Sequence, residues 1–338
     1  MEDRMKRFFS GLLGVALVAA VFLTALALPA FGTVFSNQAW VDAFLRQDLP
    51  DALVRAVTPP LLSGELLPFD PRITATLSSE QGYALTHLLL PQGWLQQQTQ
   101  VLVNRTLDFL RMESDSLALE VDLSPVKSAW RAQARSMAEL LVSSWPFCTQ
   151  ADLAAASAAL LKRDLAALPI CQPQQVLRGQ VVDVLEGQLL LMEGDIPAQV
   201  VLNDPPLSNR EALKMPLVRS FRFWYRLLPW GPVSFLGLTI LLVVLNWKQG
   251  RRLTVIWGAA TLTGGLLAAG MALSVLRGLG QANFVSSANL QAPVELTVVI
   301  LTAYAQVMTD FAFEALFLAA LAALLGVVVL VGGRLLRR

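Results

Sequence analysis

The sequence predicts a mainly α-helical protein: a four-helix transmembrane bundle with an inserted, mostly helical extracytoplasmic domain and at most one short two-stranded sheet. Three observations predict it. First, the 338-residue chain is 55% hydrophobic and only 15% charged, against roughly 25% in an ordinary soluble domain. Second, the charge deficit is uneven. From Leu227 to Gly333 only Lys248, Arg251, Arg252, Arg277, Glu295, Asp310 and Glu314 are charged, whereas residues 32–209 hold 11 Lys+Arg against 19 Asp+Glu. Third, a basic, aromatic-rich stretch joins the two parts. Arg210–Arg226 carries Arg210, Lys214, Arg219, Arg222 and Arg226 against Glu211 alone. An acidic region on a basic neck beside an apolar bundle is the charge pattern of a membrane-anchored chain.

These breaks divide the chain into an N-terminal helix (1–32), an inserted domain (33–209), a neck (210–226) and a three-span region (227–338). The first segment opens with MEDRMKR and continues uncharged from Phe8 to Val41. Its apolar part, Phe8–Phe31, is 24 residues long, enough to cross a hydrocarbon core of about 30 Å. A retained anchor fits this length better than a cleaved signal peptide, whose apolar core is usually about 7–15 residues. The alternative stays open, because a basic start and small residues near Ala25 and Ala27 are also present. Ala16 and Ala20 form a small-xxx-small pair of a kind that also arises by chance.

Within 33–209, helical spacing of apolar residues predicts most elements. Ser36 is placed to cap a helix carrying Trp40, Val41, Phe44 and Leu45, and Ser79 to cap another through Leu90. Pro59-Pro60 and the run PFDPR predict a loop between Leu61 and Arg72. Helices are expected over Trp94–Arg111, from Ser124-Pro125 to about Val142, over Ala151–Leu165 behind Thr149 and Asp152, and over Val176–Met192. In Ser116–Leu123 the period shifts to two, predicting a half-buried strand, and Ala198–Leu202 is its candidate partner. Ser208 and Glu211 form an S-x-x-E capping box, and Pro216 is expected to restart the helix that follows.

Three further spans are expected at Leu227–Trp247, Leu253–Leu276 and about Phe311–Gly333, the last preceded by a helical extension at 293–310. Span three is rich in small residues: Ala260 and Gly264, and Gly265 and Ala269, are four apart and permit close helix contact. Basic residues cluster in MEDRMKR, KQGRR and RLLRR. With four crossings these share one side, which the positive-inside rule makes cytoplasmic. Both termini are then cytoplasmic and 33–226 lies outside. Arg219, Arg222 and Arg226 sit against this rule, but long domains translocate with little regard to charge.

Few residues carry candidate chemistry. Cys148 and Cys171, the only cysteines, bracket the alanine-rich helix and are expected to pair in an oxidising compartment. Asp310 and Glu314 stand one helical turn apart in apolar sequence. They are read either as a proton or cation site or as interfacial partners of Arg222, Arg226 or Arg277. Arg219, Arg222 and Arg226 share one helix face; they fit lipid headgroups, the acidic domain, or simple snorkelling. His87 is the only histidine, and Asn104-Arg105-Thr106 matches the N-glycosylation triplet. No motif for a metal, a nucleotide or another cofactor is present, and a net charge of +1 argues against nucleic acid.

The function expected is therefore non-enzymatic: an outer domain that binds or organises something, with membrane lipids and an envelope or membrane protein as partners. Two alternatives stand beside it. One span, a large outer domain and three spans is similar in layout, though in no motif, to the membrane parts of MacB-like and FtsX-like proteins, which implies a transporter-associated subunit. The other alternative is a membrane enzyme or proton-coupled site built on Asp310 and Glu314. A claudin-like arrangement shares the four-span layout with inner termini, but its first outer loop is much smaller and β-rich.

Overall fold

The computed structural model describes residues 2–47, 49–63, 71–74, 76–162, 169–201, 203, 205–247, 249–281 and 294–335. The chain begins with α1 (Glu2–Gly32), α2 (Asn37–Arg46), α3 (Leu49–Leu62), α4 (Pro71–Thr74), α5 (Ser79–Leu89) and α6 (Gln92–Arg111). Strands β1 (Ser116–Leu117) and β2 (Glu120–Asp122) precede α7 (Ser124–Ser144), α8 (Gln150–Lys162) and α9 (Gln175–Asp195). Then come β3 (Gln199–Val201), β4 (Leu207–Ser208), α10 (Asn209–Ala212) and α11 (Pro216–Leu227). The chain closes with α12 (Trp230–Asn246), α13 (Gly250–Gln281) and α14 (Val294–Leu335). The fold is mostly helical, with little sheet.

Among the described residues, four helical segments are long and apolar enough to cross a membrane: Phe9–Gly32, Pro216–Asn246, Gly250–Leu279 and Thr297–Gly332. The second runs through α11 and α12, so it is longer than the stretch read from the sequence. The last is part of one unbroken helix of 42 residues, about 63 Å at 1.5 Å per residue. That is twice a hydrocarbon core. Its first turns leave the bundle and pack on α2: Ala43, Ala303 and Val307 bury one another, and Gln47 Nε2 donates to Gln306 Oε1 at 3.0 Å. The residues ahead of span four are thus helical from Val294 and continuous with the span itself.

Small residues set the spacing inside the bundle. A Cβ added at Gly264 would lie 2.8 Å from Val18 O of α1, and one at Gly231 would lie 2.8 Å from Leu23 C. Gly326 of α14 sits against α13, where an added Cβ would be 2.6 Å from Leu262 N. Without those side chains the backbones approach closely, which is how helices associate when the surrounding lipid is as apolar as the interface. A cluster of Ala25, Ala30, Ala268, Ala272, Ala312, Ala315 and Ala319 fills the rest of one end, closed by Phe35 and Leu228. At the other end Ser10 Oγ donates to Asn246 Oδ1 at 3.3 Å, a buried polar tie between α1 and α12.

The region between the first two spans has two layers. Helices α5, α7, α8 and α9 enclose a core of Leu85, Leu89, Met137, Leu141, Val181, Leu185 and Leu189 around Trp130. Trp130 is fully buried, and its indole N–H donates to Leu189 O at 2.7 Å. Helices α2, α3 and α6 form the layer that meets the bundle. Trp94 locks α6 to the strands by donating to Asp122 O at 2.7 Å. Cys148 and Cys171 form a disulfide across α8, as expected, with a sequence separation of 23. Closing a loop of that size contributes about 3 kcal/mol in the chain-entropy model. Thr149 and Asp152 cap α8 reciprocally, at 3.0 Å and 3.3 Å.

Three local expectations need correction. The single strand 116–123 is two: β2 pairs antiparallel with β3, as expected (Val121 opposite Val200), while β1 pairs with β4 (Leu117 opposite Leu207). Between them Asn203 takes over the backbone groups, accepting from Leu119 N at 2.7 Å and donating to Leu117 O at 2.6 Å. Pro59-Pro60 does not end α3, which runs to Leu62; Ser63 N still reaches Pro59 O at 3.0 Å. Most of the loop expected after it, 64–70, lies outside the described residues. Ser78, rather than Ser79, caps α5, in a complete capping box with Gln81. The Ser208–Glu211 box is also complete but starts a helix of only one turn, and Pro216 restarts the chain as α11.

Candidate functional site at the junction of region and bundle

The C-terminal end of α6 lands where α1, α11 and the strands converge. Arg111 donates to Phe35 O and, at 2.6 Å, to Asn37 Oδ1, tying α6 to the exit of α1. Met112 ends the helix in the left-handed conformation, at φ 66°. This turn leads Glu113–Asp115 back towards α10 and α11: Tyr225 Oη donates to Glu113 Oε1 at 3.4 Å and Asn209 N to Asp115 O at 3.3 Å. Arg226 reaches Met112 Sδ at 2.8 Å.

Arg222 is the centre of this junction. It is only 4% exposed. Its Nη2 donates to Phe109 O at 2.9 Å and to Asn209 Oδ1 at 2.6 Å, and its guanidinium lies 4.9 Å from the centre of the Phe109 ring. All these partners are neutral, and Nε is buried with none. Arg219 and Arg226, predicted to share its face, remain exposed. All three line one cavity of about 660 Å³ with Asp115, Asn209, Phe223 and Trp230. Arg111 and Asn209 were not singled out in the sequence. Nothing distinguishes Arg111 from an ordinary last-turn cation, and Asn209 is legible only as the first residue after a capping serine.

A second cavity, of about 400 Å³, opens between α2, α3, α6 and the extension of α14. Trp40, Phe44, Leu53, Leu102, Val103, Leu110 and Ile300 line it. Among the described residues its only hydroxyls, Thr99 and Thr106, already donate to Leu95 O (2.9 Å) and Leu102 O (2.8 Å) of their own helix. A guest there meets an almost wholly apolar lining.

Asp310 and Glu314 are both exposed on α14. Glu314 stands beside the end of α1, where a Cβ added at Gly32 would be 3.7 Å from its Oε2. Among the described residues neither carboxylate forms an ion pair with Arg222, Arg226 or Arg277; Arg222 turns to α6 instead. Asp310→Asn and Arg226→Gln should therefore be additive in melting experiments, to within about 0.5 kcal/mol. A coupling above about 1 kcal/mol would restore the ion pair. His87 is exposed on α5, and among the described residues no group of three His, Cys, Asp or Glu could hold a metal. Asn104-Arg105-Thr106 lies inside α6, where Arg105 bonds Glu120 at 3.3 Å.

No protein-family model, curated protein or solved structure matches the chain, so its function is read from this geometry.

Proposed function

We propose that this is a four-span membrane protein whose extracytoplasmic region binds the aliphatic part of a lipid-like molecule, without catalysing a reaction on it. Both termini and the short link between spans two and three are cytoplasmic, on the positive-inside argument. The observation that carries the reading is the 400 Å³ cavity. Its size is within the range of ligand sites and well above the roughly 150 Å³ that admits benzene. Among the described residues its lining offers no free polar group, so affinity comes from buried methylenes at about 0.8 kcal/mol each. Membrane lipid is the abundant source of such chains, and α14 extends from the bundle to form one wall.

The test is lipid analysis of protein purified from native membranes, comparing wild type with Val103→Trp, which fills the cavity. Wild type is expected to retain an aliphatic molecule near one per chain, and the variant at least tenfold less. Equal retention by both would rule the cavity out as the site. An ATPase copurifying in stoichiometric amount would instead favour the transporter-subunit reading.

A further inference from the structure

Arg222 presents an electrostatic problem that the described residues do not solve by themselves. A cation removed from water is normally compensated by an anion, because desolvation costs several kcal/mol that neutral partners only partly return. Arg222 is 4% exposed, and its partners are a carbonyl, an amide oxygen and an aromatic ring. No carboxylate among the described residues lies within salt-bridge distance of it. Yet among the described residues it lines an open cavity with two further arginines, Arg219 and Arg226, and a single carboxylate, Asp115. The lining is left with two net positive charges.

We infer that this cavity is a binding site for the phosphate headgroup of an anionic phospholipid. A phosphodiester supplies the missing anion, and guanidinium groups match its oxygens in a way ammonium groups do not. Arg219 and Arg226 present exposed side chains to it, with the fixed charge of Arg222 behind them. The rest of the cavity wall suits the same molecule. Trp230 and Phe223 are 64% and 57% exposed at its edge, the placement of aromatic residues at a membrane–water interface. Trp230 begins α12, whose outward face of Val233, Leu236, Ile240 and Val244 is exposed and apolar, so acyl chains have a surface to follow. The site rests on the membrane reading above but is separate from the apolar cavity, with which it shares no lining residue.

The test is titration of the full-length protein in a zwitterionic detergent with phosphatidylglycerol or phosphatidylcholine, counting bound lipid by native mass spectrometry. Wild type is expected to bind one phosphatidylglycerol at least tenfold more tightly than phosphatidylcholine. Arg219→Gln/Arg226→Gln, which changes only exposed side chains, is expected to lose that preference. Equal affinity for the two lipids in wild type overturns the proposal, whether or not the double variant folds. So does a folded double variant that keeps the wild-type preference. Millimolar glycerol phosphate that displaces phosphatidylglycerol would make this a site for a soluble phosphate and overturn the lipid assignment. Val103→Trp should leave the preference intact, which separates failure here from failure of the aliphatic site.

Discussion

Trp130→Ala is expected to destabilise the region between spans one and two by about 4 kcal/mol. The side chain is fully buried at the point where α7 meets α9, and its indole N–H satisfies Leu189 O. Truncation removes one of the largest apolar side chains in that core and leaves a cavity that helices pinned by a disulfide cannot easily collapse. Trp130→Phe keeps most of the volume and loses chiefly the hydrogen bond, so its cost should be nearer 1 kcal/mol. Thermal melting followed by limited proteolysis of this region would read both. The Ala variant should lose roughly 10 °C, with the four spans still protected. A loss below about 1 kcal/mol for Trp130→Ala would mean that this core does not hold the region together.

The second large effect is expected in the bundle, at Gly265. An added Cβ there would lie 2.6 Å from Ala319 O and 2.8 Å from Ala323 N. Both are backbone atoms of α14, so no rotamer change can relieve the contact. Gly265→Leu gains up to about 1 kcal/mol of helix propensity, but the forced separation of α13 and α14 outweighs it. The net cost should be about 3 kcal/mol. Gly270, five residues on in the same helix, has nothing within 4 Å of its added Cβ. Gly270→Leu should therefore be neutral or slightly stabilising. Detergent-induced unfolding of the two variants separates the packing effect from any general intolerance of leucine; equal losses would contradict it.

What could be read from the sequence follows the length scale of each signal. Runs of apolar residues longer than a soluble core needs marked all four spans, and the small residues of Ala260–Ala269 announced close packing. They did not say that Gly264 faces α1 while Gly265 faces α14. Capping boxes and helical periodicity found α2, α6, α7, α8 and α9 because those signals sit within a turn or two of the element they define. The pairing of β1 with β4 was missed because two residues carry no period. Pro59-Pro60 misled because a helix can absorb prolines in its last turns when Ser63 still finds a carbonyl. The burial of Arg222 was invisible for a different reason. On the helix alone it belongs with Arg219 and Arg226, and it is contact with Phe109, 113 residues away, together with Asn209 that removes it from water. The apolar cavity likewise joins Trp40 to Ile300, and no local pattern links them.

The most direct test of a membrane-anchored extracytoplasmic region is topology by cysteine labelling in intact cells. Both native cysteines are paired, leaving no free thiol in the chain, so single cysteines can be introduced without removing the disulfide. Gln97, exposed on α6, and Gln249, exposed between α12 and α13, lie on opposite sides of the bundle in the proposed arrangement. Gln97→Cys should react with a membrane-impermeant maleimide, and Gln249→Cys should react only after the membrane is permeabilised. Labelling of Gln249→Cys but not Gln97→Cys in intact cells would contradict the orientation, and with it the reading of the region as extracytoplasmic.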